Sequence, residues 1–292
     1  MKKLFTLMAL VSICIVANAQ SDPARVSKES DTIRIGNIII TKNGNKSDDD
    51  KKFDPHIAMG RHYKRKLSNV STNWGVIDLG FSNYSDETNY GPANSYLYNR
   101  LGTAALAKSD FKLRAGKSVN VNIWFFMQRL NLVKQHVSLK YGLGLELNNY
   151  RYKSTSSLSY LEQNPYITSQ APSPVVIRDS INFSKNKLAA DYITVPMMLN
   201  FSTSPGYTNK GLSLSVGVSA GILYSQRNKQ VSQERGKLKN RGDYDLERFK
   251  LSYVAEVGLG PIRLYGSYSP KSFYERGLDM KPYTVGVRFS NW

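Results

Sequence analysis

The sequence predicts an all-β fold, a transmembrane antiparallel up-and-down β-barrel of about eight strands with a short N-terminal periplasmic extension. Three observations lead to this prediction. Apolar and polar residues alternate over long stretches, the connections between these stretches alternate between short and long, and an export signal is followed by no apolar helix. An exported chain with these properties satisfies its backbone inside a membrane by closing a sheet on itself.

The alternation is clearest over 137–149. Its apolar phase holds Val137, Leu139, Tyr141, Leu143, Leu145 and Leu147, and its polar phase holds Ser138, Lys140, Gly142, Gly144, Glu146 and Asn148. A period of two is typical of a strand with one apolar and one polar face. A strand of a soluble sandwich usually keeps such a pattern for only about five or six residues. We therefore expect lipid against the apolar face and a polar lumen against the other.

Seven further stretches show the same alternation. They cover 76–81, 118–128, 192–201, 212–224, 249–259, 262–268 and 283–289. In the second of these, the pattern assigns Ile123, Phe125 and Met127 to the lipid face. With 137–149 these stretches give eight strands, an even number that returns both termini to the periplasmic side.

The connections alternate in length around the predicted barrel. Short ones cover 130–136, 204–210 and 260–261, and long ones cover 84–117, 153–187, 227–247 and 270–282. Outer-membrane barrels combine tight periplasmic turns with long external loops, and a strand of about 9–11 residues crosses the membrane. The spacing therefore favours a membrane barrel over a soluble sandwich.

The first nineteen residues combine a basic start, an apolar middle and an Ala-Asn-Ala exit, which is typical of a secretory signal peptide. Cleavage after Ala19 removes Lys2 and Lys3 and lowers the formal charge by 2, from +18 to +16. The only cysteine, Cys14, leaves with the signal, and Ile13 before it is not the small residue that a lipoprotein needs. Disulfides and Cys-ligated zinc are excluded in the mature chain.

The predicted domains are a signal peptide over 1–19, a periplasmic, partly disordered extension over 20–72 and an outer-membrane barrel over 73–292. Within the extension, residues 31–41 predict one β-segment, and the run Asp48-Asp49-Asp50 predicts a solvated linker because it lacks the spacing and glycine of a calcium loop. The basic residues at 61 and 64–66 fit an ordinary wet surface or a contact with anionic lipid.

Aromatic residues near the predicted strand ends indicate girdles at the two lipid interfaces. The set is Trp74, Tyr84, Trp124, Phe125, Tyr150, Tyr152, Tyr192, Tyr224, Tyr268 and Tyr283.

Three segments carry a resemblance to a known family. They are the signal ending Ala-Asn-Ala-Gln20, the strand Tyr192-Ile-Thr-Val-Pro-Met-Met-Leu199 and the terminal Tyr283-Thr-Val-Gly-Val-Arg-Phe-Ser-Asn-Trp292. These segments resemble the outer-membrane β-barrel domain proteins common in Bacteroidota, OmpX-like and PorT-like small barrels. The resemblance covers roughly 74–292 and implies location in the outer membrane and help from the barrel-assembly machinery. Such barrels end in a lipid-facing aromatic residue that guides assembly. Phe289 keeps that phase and Trp292 is off it, so either could be the recognition residue.

The chemistry of the residues gives little support for an enzyme. Of three histidines, His56 and His62 lie in the extension and His136 lies in a predicted periplasmic turn, so none can serve as the base of an acyl-transfer or hydrolytic site on a barrel strand. The carboxylates of Asp78 and Glu146 are better explained as lumen partners of basic residues. The expected lumen charge network contains Asp78, Lys140, Glu146, Lys250, Glu256, Arg263 and Arg288. We expect no catalytic residue, no cofactor and no metal.

The remaining interpretations are a filled barrel that acts through its loops, a small transport pore, and a lipid-binding barrel with lateral access. Barrels of about eight strands are just wide enough for side chains to fill, which disfavours the pore. Lateral access would lie near Pro196, where a missing N–H predicts a bulge or a weak seam beside the small residues of 213–221.

The loop 227–247 suits contact with lipopolysaccharide phosphates, because it carries Arg227, Lys229, Arg235, Lys237, Lys239 and Arg241. The expected partners are therefore outer-membrane lipid and lipopolysaccharide. Nucleic acid is not expected, and the protein is expected to be a monomer.

Overall fold

The computed structural model describes residues 32–35, 38–41, 68–91, 94, 96–99, 102–153, 158–161, 175–204, 211–259 and 262–290. The chain divides into two compact units, Met1–Tyr63 and Lys64–Trp292. Several features singled out in the sequence lie outside the described residues. They are the predicted signal peptide, the Asp48-Asp49-Asp50 run, the basic residues at 61 and 64–66, His56, His62 and Trp292.

The described residues of the first unit form two short strands, β1 (Thr32–Ile35) and β2 (Ile38–Thr41), which pair antiparallel with Ile35 opposite Ile38. The prediction of one continuous β-segment over 31–41 is therefore wrong. The intervening sequence is Gly36-Asn37, a pair that favours a two-residue hairpin turn.

The second unit is almost entirely β-structure. Its strands are β3 (Val70–Asp86), β4 (Leu97–Tyr98), β5 (Val119–Val133), β6 (Val137–Arg151), β7 (Leu158–Leu161), β8 (Val175–Arg178), β9 (Lys185–Ser202), β10 (Leu212–Ser232), β11 (Gly236–Arg241), β12 (Phe249–Leu259), β13 (Ile262–Tyr268) and β14 (Met280–Phe289), with a 3-10 helix at Ala115–Lys117.

Eight of these strands close a ring in the order β3-β5-β6-β9-β10-β12-β13-β14, in which each pairs antiparallel with the next and β14 pairs with β3. The predicted eight-stranded barrel is confirmed, and each of the eight ring strands contains one predicted stretch or most of it. In the described residues, no helix is long and apolar enough to cross a membrane.

Alternation along the strands separates two faces. Outward side chains such as Phe81 and Leu214 are 57% and 42% exposed, whereas the inward neighbours Asp78 and Ser215 are 0% and 1% exposed. The outward apolar side chains form a belt around the barrel, which we call the apolar belt. It covers 193–201 on β9 and 212–224 on β10, and an apolar outer face is stable only against lipid.

Met127 is the exception to the predicted facing. It is 1% exposed inside the barrel, not on the lipid face, because the β5–β6 register shifts between Trp124 and Phe126. This β-bulge adds one residue, so every later side chain of β5 points to the other face.

The expected bulge at Pro196 is absent. Tyr141 pairs with Met197 and Gly144 with Thr194 in the same register, and the β6–β9 pairing between them is interrupted. On the other side Pro196 pairs with Ser219 of β10 without a shift. The missing N–H of proline is therefore accommodated by a gap in one ladder and not by an extra residue.

The long connection predicted over 227–247 is largely a hairpin. β10 continues to Ser232 and pairs with β11, with Arg227 opposite Arg241 and Ser232 opposite Gly236. The apolar signal ends at Tyr224, but the strand does not. The register to β9 shifts between Leu223 and Ser225, and beyond this bulge the buried residues of β10 are Asn228, Gln230 and Ser232.

Two other long connections, 84–117 and 153–187, also contain strands. β4, β8 and β7 form a three-stranded sheet from two different loops, with β4 parallel to β8. Together with the hairpin and the connection between β13 and β14, this sheet makes a structured end that we call the cap. By the rule for outer-membrane barrels, the long-loop end faces the outside of the cell.

Candidate functional site

The centre of the barrel holds a buried ion-pair network. Arg288 forms a two-pronged contact with Asp78, with Nε to Oδ1 at 2.7 Å and Nη2 to Oδ2 at 2.8 Å. Its Nη1 donates to Glu256 Oε2 at 2.7 Å. Trp124 Nε1 also donates to Asp78, at 2.8 Å. These strong charge-assisted contacts tie β14, β3, β12 and β5 together across the lumen.

Glu256 is the second hub of this network. Its Oε1 lies 2.8 Å from Lys140 Nζ and 2.9 Å from Arg263 Nη1. Lys140 also donates to the hydroxyl of Ser215 at 3.1 Å. All four side chains are nearly inaccessible to solvent, so each charge depends on its partners for solvation.

Glu146 forms a neighbouring cluster with Lys250. Asn148 donates to Glu146 Oε1 at 2.9 Å, and Thr194 donates to Oε2 at 3.4 Å. The ammonium of Lys250 lies 5.3 Å from the centre of the Tyr192 ring. The structure thus brings all seven residues of the expected lumen network into the barrel, in two groups: Asp78, Lys140, Glu256, Arg263 and Arg288, and Glu146 with Lys250.

Sequence reasoning left out the neutral partners that complete the network. Asn120 donates to Asn148 at 2.9 Å and to Asn122 at 3.0 Å, and Asn122 donates to Asp78 at 3.1 Å. Tyr265 donates to Asn120. All of them lie on the inward phase of barrel strands, which is the signal that could have identified them.

The described side chains of this region leave a small cavity between them. A cavity of about 30 Å³ is lined by Glu146, Glu256, Arg288, Trp124 and Pro196, among others. Such a volume holds about two water molecules. Toward the short-turn end, Val76, Trp124, Met127 and Met198 pack into an apolar cluster.

An aromatic core fills the barrel mouth beneath the cap. Phe273 stacks on Tyr150 with ring centres 4.9 Å apart, and Tyr84 lies 5.8 Å from the same Phe273 ring. Phe111 meets Tyr152 edge-on at 6.4 Å. These rings come from β3, β6 and the long connections, so their packing holds the loops on the barrel.

This core corrects the predicted aromatic girdles. Five members of the set face outward: Trp74, Phe125, Tyr224, Tyr268 and Tyr283. The other five are buried inside: Tyr84, Trp124, Tyr150, Tyr152 and Tyr192. Trp124 and Tyr192 also lie in the middle of β5 and β9 and not near strand ends. The inward phase places all five rings in the lumen or the mouth.

Polar contacts join the loops of the cap to one another. Tyr96 donates to the carbonyl of Tyr244 at 2.8 Å. Arg276 and Asp245 form an ion pair at 2.5 Å, and Asn94 donates to the carbonyl of Gly277. In the described residues of the cap, no large apolar side chain is exposed. The cap therefore presents a polar surface over an apolar interior.

The six cations of the expected external basic loop divide into two groups. Arg227 pairs with Asp191 at 2.5 Å, and Arg235 pairs with Asp179 at 2.9 Å. The others are Lys229 on β10 and Lys237, Lys239 and Arg241 on β11. For these four, no ion pair with a described carboxylate forms.

Two further cations that sequence reasoning did not assign lie on the adjacent strand. Lys185 and Lys187 begin β9 and point outward, since the intervening Asn186 is buried. Partial burial, together with Lys185, Lys229 and Arg227, lowers the pKa of Lys187 to about 8, which Asp191 only partly offsets. Among the described residues, the positive field of this face is therefore only partly compensated by protein groups.

His136 lies in the tight turn between β5 and β6, exposed, with Nδ1 2.9 Å from the carbonyl of Ser202. Across the described part of the chain, no cluster of three or more His, Cys, Asp or Glu is arranged to hold a metal ion.

A comparison with protein families agrees with this architecture. The model of a family described as outer membrane protein beta-barrel domain matches residues 79–270. Among solved structures, the chain is similar to Ail, the attachment invasion locus protein of Yersinia pestis, in a complex with the heparin analogue sucrose octasulfate. The identity is 12% and the TM-score 0.27, over 75% of this chain and 98% of that one. It is also similar to a triple mutant of the Rhodopseudomonas blastica porin, at 9% identity and a TM-score of 0.17, over 76% and 100% of the two chains. No curated protein matches the sequence.

Proposed function

We propose that this chain, which belongs to the outer membrane protein beta-barrel domain family, is a closed, non-conducting barrel. The barrel holds a rigid cap at the cell surface. In this role it acts through contacts of the cap with outer-membrane lipid and lipopolysaccharide. The chain is an outer-membrane protein.

The observation that carries the proposal is that the barrel is filled along its length. Aromatic rings occupy the mouth, ion pairs occupy the centre, and Met127 and Met198 pack toward the short-turn end. An eight-stranded barrel is just wide enough for side chains to fill or to hold one small ligand, and here side chains fill it. A rigid cap is the element left to make contacts, since its loops are joined by ion pairs such as Arg276–Asp245.

Single-channel recording of the refolded protein in planar bilayers tests closure. We expect no unitary conductance steps, provided a detergent gel shows the folded band. The variant Tyr150→Ala/Phe273→Ala, which loosens the cap, should also stay closed because the ion-pair network still fills the centre. Discrete steps from the wild-type protein would overturn the proposal in favour of the small transport pore.

A lipid-binding barrel with lateral access near Pro196 is the second candidate, favoured by the interrupted β6–β9 ladder beside the internal cavity. Room for about two waters is far short of an acyl chain, so this candidate requires the wall to open. Native mass spectrometry decides: lipid retained by the wild type and lost in Pro196→Val would support access, and wild type without lipid would remove it.

We propose several further properties of the protein on the same basis. The protein has no membrane-embedded acyl-transfer or hydrolytic activity, which an esterase and acyltransferase assay tests. It is a monomer, binds no nucleic acid, carries a cleaved signal peptide and is inserted by the barrel-assembly machinery. The finer likeness suggested by sequence, to OmpX-like and PorT-like small barrels of Bacteroidota, belongs to the same proposal.

A further inference from the structure

Four basic residues stand side by side on the outer wall of the protein, beyond the apolar belt. Register places Arg151 of β6 opposite Lys187 of β9, Lys187 opposite Lys229 of β10, and Lys229 opposite Lys239 of β11. Directly opposed residues of antiparallel strands share a face, with Cβ atoms about 4.5–5.5 Å apart. We call these four residues the cationic row.

Such an arrangement is unfavourable in the protein alone. Like charges directly opposite each other destabilise a sheet, and here three consecutive pairs are of the same sign. Asp191, a described acid whose charge acts on Lys187, is engaged by Arg227 at 2.5 Å. Neighbouring cations lower the pKa of Lys229, chiefly Lys237 and then Lys185. Because no member of the row forms an ion pair with a described carboxylate, the row favours an anion from outside the chain.

The height of the row indicates where that anion lies. On β9 the apolar belt ends at Ile193, six residues from Lys187. At about 3.3 Å per residue this is about 20 Å along the strand, or about 14 Å above the belt for a strand tilted by about 45°. The head-group layer of a bilayer is about 5–8 Å thick on each side. The row therefore stands above the head groups, beside the sugars of an outer-leaflet glycolipid.

We infer that the cationic row binds the phosphate groups carried by the sugars of lipopolysaccharide in the outer leaflet. The lysines supply compact positive charges, and the guanidinium of Arg151 can bind phosphate through two N–H groups. Phosphates bound along the row relieve repulsion between the strands as well as anchoring the glycolipid. The inference rests on the proposed surface role and assigns to it a site and the chemical group that the site binds.

The test uses the refolded full chain in neutral nanodiscs, titrated with phosphorylated lipopolysaccharide. The variant Lys187→Gln/Lys229→Gln removes two central charges, and we expect about 30-fold weaker binding from their combined loss. The matched control is Lys112→Gln/Lys117→Gln, which removes two exposed lysines of the cap outside the row and should change binding by less than about 3-fold. Equal binding by the row variant and the wild type would overturn the inference.

Two further arms identify the source of the anion. Dephosphorylated lipopolysaccharide should bind the wild type as weakly as the phosphorylated form binds the row variant. If inorganic phosphate alone bound the row as tightly as lipopolysaccharide, or if only a sulfated polysaccharide depended on the row, the assigned partner would be wrong.

Thermal unfolding guards against a folding artefact. Without lipopolysaccharide, the row variant should be at least as stable as the wild type because repulsion is relieved, and lipopolysaccharide should raise the melting temperature of the wild type only. A variant that is less stable without the glycolipid contradicts the repulsion on which the inference depends. The conductance measurement is independent of these binding and unfolding results. If the barrel is closed but the cationic row does not bind lipopolysaccharide, this inference alone is wrong. If the barrel conducts ions, the proposed closed barrel alone is wrong.

Discussion

The two halves of the barrel wall are built with opposite polarity. Within the apolar belt, β9 turns Ile193 and Val195 outward and Thr194 inward. Beyond the belt, the same strand turns Lys187 outward and Leu188 into the aromatic core. The inward phase of β9 is unchanged between the halves, and only the chemistry of each face is exchanged. The medium around each half, lipid or water, therefore decides which face is apolar.

The comparison also shows how one strand changes from one half to the other. On β10 the transition coincides with the register shift between Leu223 and Ser225, and Tyr224 lies on the outer surface at that point. Ion pairs stabilise the core of one half, and ring packing stabilises the core of the other. The following variants separate these two kinds of stabilisation.

The largest effect is expected from removing a hub of the ion-pair network. Asp78→Ala removes the buried acceptor of Arg288 Nε and Nη2 and of the indole N–H of Trp124. It leaves Arg288 only its ion pair with Glu256. Loss of one partner of a buried pair costs about 3–5 kcal/mol of unfolding free energy. Urea titration followed by the folded and unfolded bands on a detergent gel measures this loss. The double variant Asp78→Ala/Arg288→Met should recover part of it, and full additivity of the two changes would mean that the pair is not coupled.

A comparable local effect is expected in the aromatic core. Phe273→Ala removes a ring that packs on Tyr150 and Tyr84, at a cost to the cap of about 3–5 kcal/mol. Because the membrane-level barrel has its own core, we expect the folded gel band to persist while the cap becomes sensitive to protease. The two halves would prove to be one cooperative unit if folded band and protease resistance were lost together.

A charge in the apolar belt should have an intermediate effect. Leu214→Arg is expected to cost about 2–4 kcal/mol if the residue lies near the bilayer midplane. Asn149→Arg, which also faces outward but lies on the cap half of β6, should be close to neutral. Unfolding titrations in lipid vesicles compare the two, and equal costs would contradict the boundary between the halves.

The smallest effect concerns the protonation of Lys187. Its pKa of about 8 lies below the ordinary 10.5, so the free protein loses this charge as the pH rises through about 8. Lipopolysaccharide affinity should therefore fall several-fold between about pH 7 and 9. Between about pH 8 and 10.5 the unfolded chain binds more protons than the folded one, so this residue makes stability rise with pH. The charged groups that face it are Arg151, Lys185, Asp191, Arg227 and Lys229.

Titrating Lys187→Gln is the matched control for the pH effect. If this variant shows the same fall in lipopolysaccharide affinity with rising pH as the wild type, a group other than Lys187 causes the fall.

The membrane half was predictable from sequence, and the outer half was not. Alternation located all eight strands because lipid demands an unbroken apolar face, and the inward charges followed from the same phase. The same rule misassigned Tyr84 and Tyr150, since beyond the belt apolar residues face inward. Met127 was misassigned because a bulge carries no sequence signal of its own. The cationic row depends on register across four strands, which no single stretch of sequence contains.

Closure of the ring between β3 and β14 has a consequence for how the protein forms. Arg288 and Asp78, which meet at this seam, are 210 residues apart. Pairings between distant segments slow folding because a large loop must close before the contact stabilises anything. Until the last strand is available, the first offers an unpaired edge to any neighbouring chain. The barrel therefore depends, between synthesis and insertion, on being kept from aggregation in the periplasm.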